Sequence, residues 1–304
     1  MVDRVRGVLR KGLVASGLLK RSISRRTFDG VVVVCYHAIR CDDQPDGVMP
    51  FEGLHVRRSL FREHCRILSE LCTPISLAEW RAARDGGPPL PGRPVLVTLD
   101  DGYRSALTQA LAVLEEFDIP AVLFACTDPI ARCEMFWYDS VASAEGEQAV
   151  DALKNATYDE WRDVYERARR PISPDAPMAP LSATELQQLS THPLIEIGGH
   201  SHRHPILARA DTVAQREEIV DNLNLIEQWT GRRPAAFAYP NGRRDQDYTR
   251  ATEALVSGAG VDMAFTTDPG IARNSCGPLS EPRFTITSGL SGAHLLQRLA
   301  WDWS

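Results

Sequence analysis

Residues 95–103 read Val95-Leu96-Val97-Thr98-Leu99-Asp100-Asp101-Gly102-Tyr103. Val95 to Leu99 is too short for a helix and apolar nearly throughout, the pattern of a strand buried on both faces. Two adjacent carboxylates and a glycine close it, so the charge falls where the chain leaves the sheet. Adjacent residues at a strand end can diverge, one to bind a metal and the other to act as a base. Asp-Asp-Gly is also an ordinary turn, so its meaning depends on what surrounds it.

Outward from this stretch, strand and helix patterns alternate. Val31 to Tyr36 is a second strand of the same continuous type. Apolar residues at helical spacing predict helices over 57–72 and 103–117, separated by a Pro/Gly-rich loop at 86–94. Ala121–Ala125 is a strand, and Ser182 with Glu185 forms a capping box opening a helix to about Ser190. Then follow a strand at Leu194–Ile197, a helix over 212–230, a strand at Ala235–Tyr239 and a helix over 245–257. Strands at Met263–Thr266 and Phe284–Ile286 and a helix over 291–301 complete the series. Strands separated by helices imply parallel βα units, and about seven of them with no second-domain signature favour an α/β barrel over an open sheet. Residues 127–180 break the alternation, are rich in aromatic and charged residues, and predict an insertion over one end of the barrel.

The chain has 304 residues and a net charge of -6, which gives no reason to expect nucleic-acid binding. Residues 1–26 carry eight Lys/Arg and one acid, Asp3, so this segment is +7 and the remainder -13. Val2, Val5, Leu9 and Leu13 recur at helical spacing within it. Residues 1–29 therefore read as a basic amphipathic segment, a candidate for contact with an anionic membrane surface through residues 1–26, ahead of a single domain over 30–304. Neither a secretory leader nor a membrane span is expected, which points to a cytoplasmic protein, peripheral at most to the inner membrane face. Seven cysteines, an odd number without a CxxC pair, read as buried free thiols.

A second stretch carries chemistry: Gly198-Gly199-His200-Ser201-His202-Arg203-His204-Pro205, directly after a predicted strand. His200 and His204, at i and i+4, would share one side of a helical turn, a spacing that suits two imidazoles on one divalent metal. His202 is expected to point elsewhere. A third stretch, Phe237-Ala238-Tyr239-Pro240-Asn241-Gly242, also ends a strand and alone is only a turn.

In this order and spacing, the three stretches resemble the polysaccharide deacetylase family with its NodB homology domain, over roughly residues 30–290. Thr98 to Gly102 matches that family's first motif with Leu99 for Phe, and His200 to Pro205 matches its His-Ser/Thr-x-x-His motif. Tyr36-His37-Ala38-Ile39 and the form of the third stretch resemble the branch that deacetylates poly-N-acetylglucosamine. The resemblance implies a distorted (β/α)7 barrel, Asp101, His200 and His204 as metal ligands, Asp100 as general base and His37 as general acid. Asp/His/His ligation makes zinc the default, one ion per chain. Tyr103, Tyr239, Pro240 and Trp137 are candidate substrate contacts, Tyr103 through its backbone N–H. Trp137 in Phe136-Trp137-Tyr138-Asp139 either lines a glycan subsite or belongs to a small satellite core, while Trp161 and Tyr165 read as packing.

One departure matters. The family's third motif supplies an arginine that orients the catalytic aspartate, and here Ala238 stands at that position. Arg283 is a substitute in principle, but the simpler expectation for it is a surface salt bridge. The expected substrate is an N-acylated glycan. The rivals are a deacetylase or deformylase of a lipid-linked sugar or small amide, and an inactive glycan-binding homologue.

Overall fold

Five consecutive residues with no exposed surface, Val32–Tyr36, form the first barrel strand, β1. The structure, a computed structural model, describes residues 18–273 and 275–303. Six further strands follow: β2 (Pro94–Leu99), β3 (Ala121–Ala125), β4 (Ile195–Gly199), β5 (Ala236–Ala238), β6 (Met263–Phe265) and β7 (Phe284–Thr285). Their spatial order is β7-β1-β2-β3-β4-β5-β6, and every neighbouring pair is parallel. The curled seven-stranded sheet is a half-barrel, the distorted (β/α)7 architecture expected. One parallel bridge joins Phe265 of β6 to Glu281, in the segment leading into β7, and the buried Arg283 Nε–H donates to the Thr266 carbonyl across the same seam at 2.9 Å.

Period-two alternation along the strands divides the apolar residues between two cores. Val33, Leu96, Val122, Phe124, Ala236, Ala238, Met263 and Phe265 fill the barrel interior. Val32, Val34, Val95, Val97, Ala121 and Leu123 face the surrounding helices, Arg58–Leu71 and Leu111–Phe117 among them. Residues 127–180 form four helices, Thr127–Arg132, Trp137–Glu145, Glu147–Leu153 and Tyr158–Ala168. They pack around Phe136, Trp137, Trp161 and Tyr165 as a core of their own.

Several boundaries differ from expectation for identifiable reasons. The helix expected from 103 starts at Ala106, because Tyr103 is held in a bridge with Pro180 at the end of the insertion. The helix expected from 245 starts at Arg250, after a loop in which Asn241 and Asp245 adopt positive φ. A helix at Leu77–Arg84 went unforeseen, although Ser76 and Glu79 make a complete capping box for it. The cysteines are free, but only Cys35, Cys65, Cys72 and Cys126 are buried, while Cys133 is exposed and Cys41 and Cys276 are half-buried. Val2, Val5, Leu9 and Leu13 lie outside the described residues. Leu18–Ser24 is helical, and its Leu19 and Ile23 are buried in the main core, so the packed body extends N-terminal to residue 30. Among the described residues, no helix is long and apolar enough to cross a membrane.

Candidate active site

The carboxyl ends of β1, β2, β4 and β5 open on one mouth, where barrel enzymes hold their chemistry. His37 follows β1, Asp100 and Asp101 follow β2, His200 follows β4 and Tyr239 follows β5. All five line a single cleft of about 1420 Å³.

The two aspartates diverge because their backbones differ. Asp100 continues the strand, its N–H donating to the Tyr36 carbonyl at 2.9 Å. Asp101 sits in the left-handed region with φ 77° and Gly102 at φ 94°, which swings the second carboxylate away from the first. Asp101 Oδ1 lies 3.3 Å from His200 Nε2 and 3.5 Å from His204 Nε2. The edge of a tetrahedron with bonds of ~2.0–2.1 Å is about 3.3–3.4 Å, so the three donors are spaced as ligands of one ion. Nδ1–H of His200 is directed at the Ala238 carbonyl, 2.7 Å away, a backbone partner that leaves Nε2 as the free donor. Burial, and after it the charge of His200, pushes the His204 imidazole down to about 3, so its lone pair is available at neutral pH. Burial opposes ionisation of Asp101, but the His200 hydrogen bond and the charges of His37 and His204 hold its carboxyl well below the usual range. One carboxylate and two imidazoles, all buried and converging, fit a divalent metal.

The histidines reach this arrangement without the helical turn expected of them. Residues 200–205 form an irregular loop, in which Ser201 and His204 adopt φ of 61° and 62°. The helix Thr212–Thr230 pins that loop through two residues one turn apart. Asn222 accepts from His200 N–H at 3.0 Å and donates to the Ser201 and Ala125 carbonyls at 2.7 and 2.9 Å. Glu218, fully buried, accepts from Arg203 N–H and from its guanidinium. Neither was foreseen; the signal was polar residues, Glu218 and Asn222 with Gln215, on a helix face shared with Ile219, Leu223 and Ile226. His202 turns away, as expected, to Thr127 Oγ1 at 2.9 Å.

Arg283 overturns the surface-salt-bridge expectation. It has no exposed surface, and its guanidinium grips Asp100 with both prongs, Nη1 to Oδ1 and Nη2 to Oδ2 at 2.7 Å each. It also donates to Thr98 Oγ1 and lies over the Phe124 and Phe265 rings. Burial alone would raise the Asp100 carboxyl; the Arg283 charge and then that of His200 reverse this and keep it below the usual range. Arg283 therefore orients the Asp100 carboxylate from across the barrel seam.

The other candidates fall as follows. His37, half-buried on the cleft wall, has an Nδ1 without a hydrogen-bond partner among the described residues, and it groups with Cys35 and Asp100 within 4.8 Å. The bridge between Tyr103 and Pro180 takes its bonds from the flanking Arg104 N–H and Leu181 N–H, so that of Tyr103 is not spent on it. Trp137 is buried in the insertion core and donates Nε1–H to the His204 carbonyl at 3.0 Å, bracing the loop that carries it. Tyr239 lines the cleft, but its hydroxyl donates to the Leu279 carbonyl and its ring stacks on Tyr248. Pro240 is buried beside it.

The polysaccharide deacetylase family profile matches residues 87–262. The poly-beta-1,6-N-acetyl-D-glucosamine N-deacetylase of Escherichia coli strain K12 is 29% identical over 280 residues, covering 89% of this chain and 38% of that protein. The chain thus spans well under half the length of this curated relative. Among solved structures, the Streptococcus pyogenes deacetylase PplD in complex with acetate aligns with a TM-score of 0.63 at 20% identity, over 90% of this chain and 99% of that one. IcaB from Ammonifex degensii aligns with a TM-score of 0.62 at 18% identity, over 90% and 98%. At these identities the likeness to the solved structures is one of fold.

Proposed function

The chain belongs to the polysaccharide deacetylase family, and we propose that it is a metal-dependent hydrolase that removes N-acetyl groups from N-acetylglucosamine units of an exopolysaccharide. The observation that carries this reading is the pairing of two devices at one mouth: an Asp101/His200/His204 ligand set and, beside it, an ionised Asp100 clamped by Arg283. A non-catalytic glycan binder would need neither, and the missing arginine that favoured such a binder is supplied by Arg283. The choice of N-acetylglucosamine rests on the curated relative's name. The cleft, larger than the roughly 300–1,000 Å³ of ordinary small-ligand pockets, suits a segment of polymer.

Asp101, His200 and His204 would hold one divalent ion, zinc by default for these donors. Bound there, such an ion supplies a Lewis acid for the acyl oxygen and lowers the pKa of a water toward ~7. Asp100 is the group that takes the proton from the attacking water as its oxygen bonds to the acyl carbon. Arg283 keeps the carboxylate ionised and in register; the Cys35 thiol also donates to Oδ2, which leaves Oδ1 with a lone pair to accept. The Tyr103 backbone N–H, not spent on the Pro180 bridge, stabilises the negative charge developing on the acyl oxygen. When the carbon–nitrogen bond breaks, His37 delivers a proton to the departing amine, and acetate and the free amino sugar leave.

The test is acetate release from β-1,6-linked N-acetylglucosamine oligomers by zinc-reconstituted protein, with His37→Ala alongside. The proposal expects release by the wild type, its loss on chelation, and at least about 10²-fold slower turnover by a His37→Ala protein that keeps its metal and its Tm. A wild type that binds zinc but frees no acetate from any N-acetylated glycan oligomer would reject it.

A further inference from the structure

The short parallel ladder of Ile39–Arg40 with Val56–Arg57 brings a second histidine to the active-site wall. Ile39 pairs with Val56, and Val56 N–H donates to the Ala38 carbonyl. His55, one residue before that ladder, therefore lies alongside Ala38, next to His37. Its ring meets the Tyr103 ring edge to face, with centroids 5.4 Å apart, and it lines the same cleft as His37 and Asp101.

His55 is 1% exposed, yet neither of its ring nitrogens has a hydrogen-bond partner among the described residues. Arg40 and the Pro50 carbonyl lie nearby, but Arg40 directs its Nη2 to the Pro45 carbonyl and Asp46, its Nε has no hydrogen-bond partner among the described residues, and neither group meets hydrogen-bond geometry with the ring. Burial, and then repulsion from His37, holds the imidazole down at about 3, so it is neutral, with one N–H donor and one bare acceptor. Leaving a buried polar group unpaired costs about 1–3 kcal/mol. Packing against Tyr103 does not account for that cost, because phenylalanine would pack there without it. Sugar hydroxyls and acylamides are both donors and acceptors, so such a ligand in this cleft offers the imidazole a partner of either kind.

We infer that His55 is a substrate-positioning residue whose imidazole hydrogen-bonds the N-acylated amino sugar between His37 and Tyr103. This rests on the deacetylase reading above. His55 orients the sugar by neutral hydrogen bonds, while His37 delivers the proton.

The experiment uses zinc-loaded Asp100→Asn protein, which turns over slowly, and titrates it calorimetrically with a β-1,6-linked N-acetylglucosamine oligomer, with and without His55→Phe. His55→Phe keeps an aromatic ring against Tyr103 and removes both nitrogens. The expected result is a Kd weaker by roughly five- to tenfold, with zinc content unchanged and Tm equal or higher, since an unpaired polar group has gone. In the otherwise wild-type enzyme His55→Phe should raise KM by a similar factor, and His55→Gln, which keeps a donor and an acceptor, should recover much of it. Unchanged affinity and KM in His55→Phe overturn the assignment. So does a fall in Tm that His55→Gln does not repair, which marks a structural histidine. Failure of the Asp100→Asn protein itself to bind any such oligomer sinks the deacetylase reading and the role of His55 with it, an outcome distinct from a defect confined to the His55 variants.

Discussion

A carboxylate with 3% exposure would ordinarily resist ionisation; Asp100 is ionised because a planar fork delivers charge and two hydrogen bonds to both its oxygens. A lysine at 283 would supply a point charge in place of the fork. Arg283→Lys should therefore keep metal, lose on the order of 10²-fold in kcat, and shift the acid limb of the pH–rate profile upward. Arg283→Met goes further, because an uncompensated buried carboxylate costs about 3–5 kcal/mol. The folded pKa of Asp100 is depressed, so its stabilisation is present above the unfolded carboxylate value of about 3.9 and is lost as pH falls through the folded value. The Tm gap between wild type and Arg283→Met should accordingly narrow on acidification. A gap of constant size from neutral to acid pH would contradict the role given to this pair. This residue also marks a limit of sequence reading. The paired carboxylates and the spaced histidines announce themselves, but Arg283 lies 183 positions from Asp100, in a run with no motif of its own. Only closure of the barrel seam brings the two together.

At the scale of elements, the loop that carries His200 and His204 depends on a neighbouring helix. Asn222 and Glu218, one turn apart on Thr212–Thr230, satisfy the backbone of a loop that holds two non-glycine residues at positive φ. Asn222→Ala would leave the His200 N–H and the Ser201 carbonyl without that partner. The expected result is a 10- to 100-fold loss of zinc affinity in chelator competition, the effect typical of groups supporting metal ligands. Unaltered affinity would show that the loop holds its shape without the helix. Strand type and order were legible because continuous β-branched runs such as Val32–Tyr36 have few alternatives. The i, i+4 spacing of His200 and His204 predicted that the two side chains converge, and they do, but not on the helical backbone expected, since a tight loop can converge two side chains as well as a helical turn can. The insertion was visible as a break in alternation, but not its contact with the site, where Trp137 braces His204.

For the molecule as a whole, the cleft lies between the barrel mouth and the insertion, both contributing walls. At the opposite extreme of the chain, Leu19 and Ile23 are buried in the main core. Removing residues 1–17 should leave Tm and zinc content unaltered, whereas removing 1–26 should lower Tm by several degrees. If the basic N-terminal segment contacts anionic vesicles, the 1–17 deletion should weaken that binding, and salt should weaken it for the full chain; equal binding by both proteins would reject the contact. The account stands or falls on whether ligands and base are separate devices at one mouth. The direct measurement is zinc content together with acetate release from N-acetylglucosamine oligomers, wild type against Asp100→Asn. The account predicts about one zinc per chain in both proteins and a loss of roughly 10²–10⁴-fold in turnover in the variant. Loss of zinc from Asp100→Asn, or turnover close to wild type with zinc in place, would contradict it.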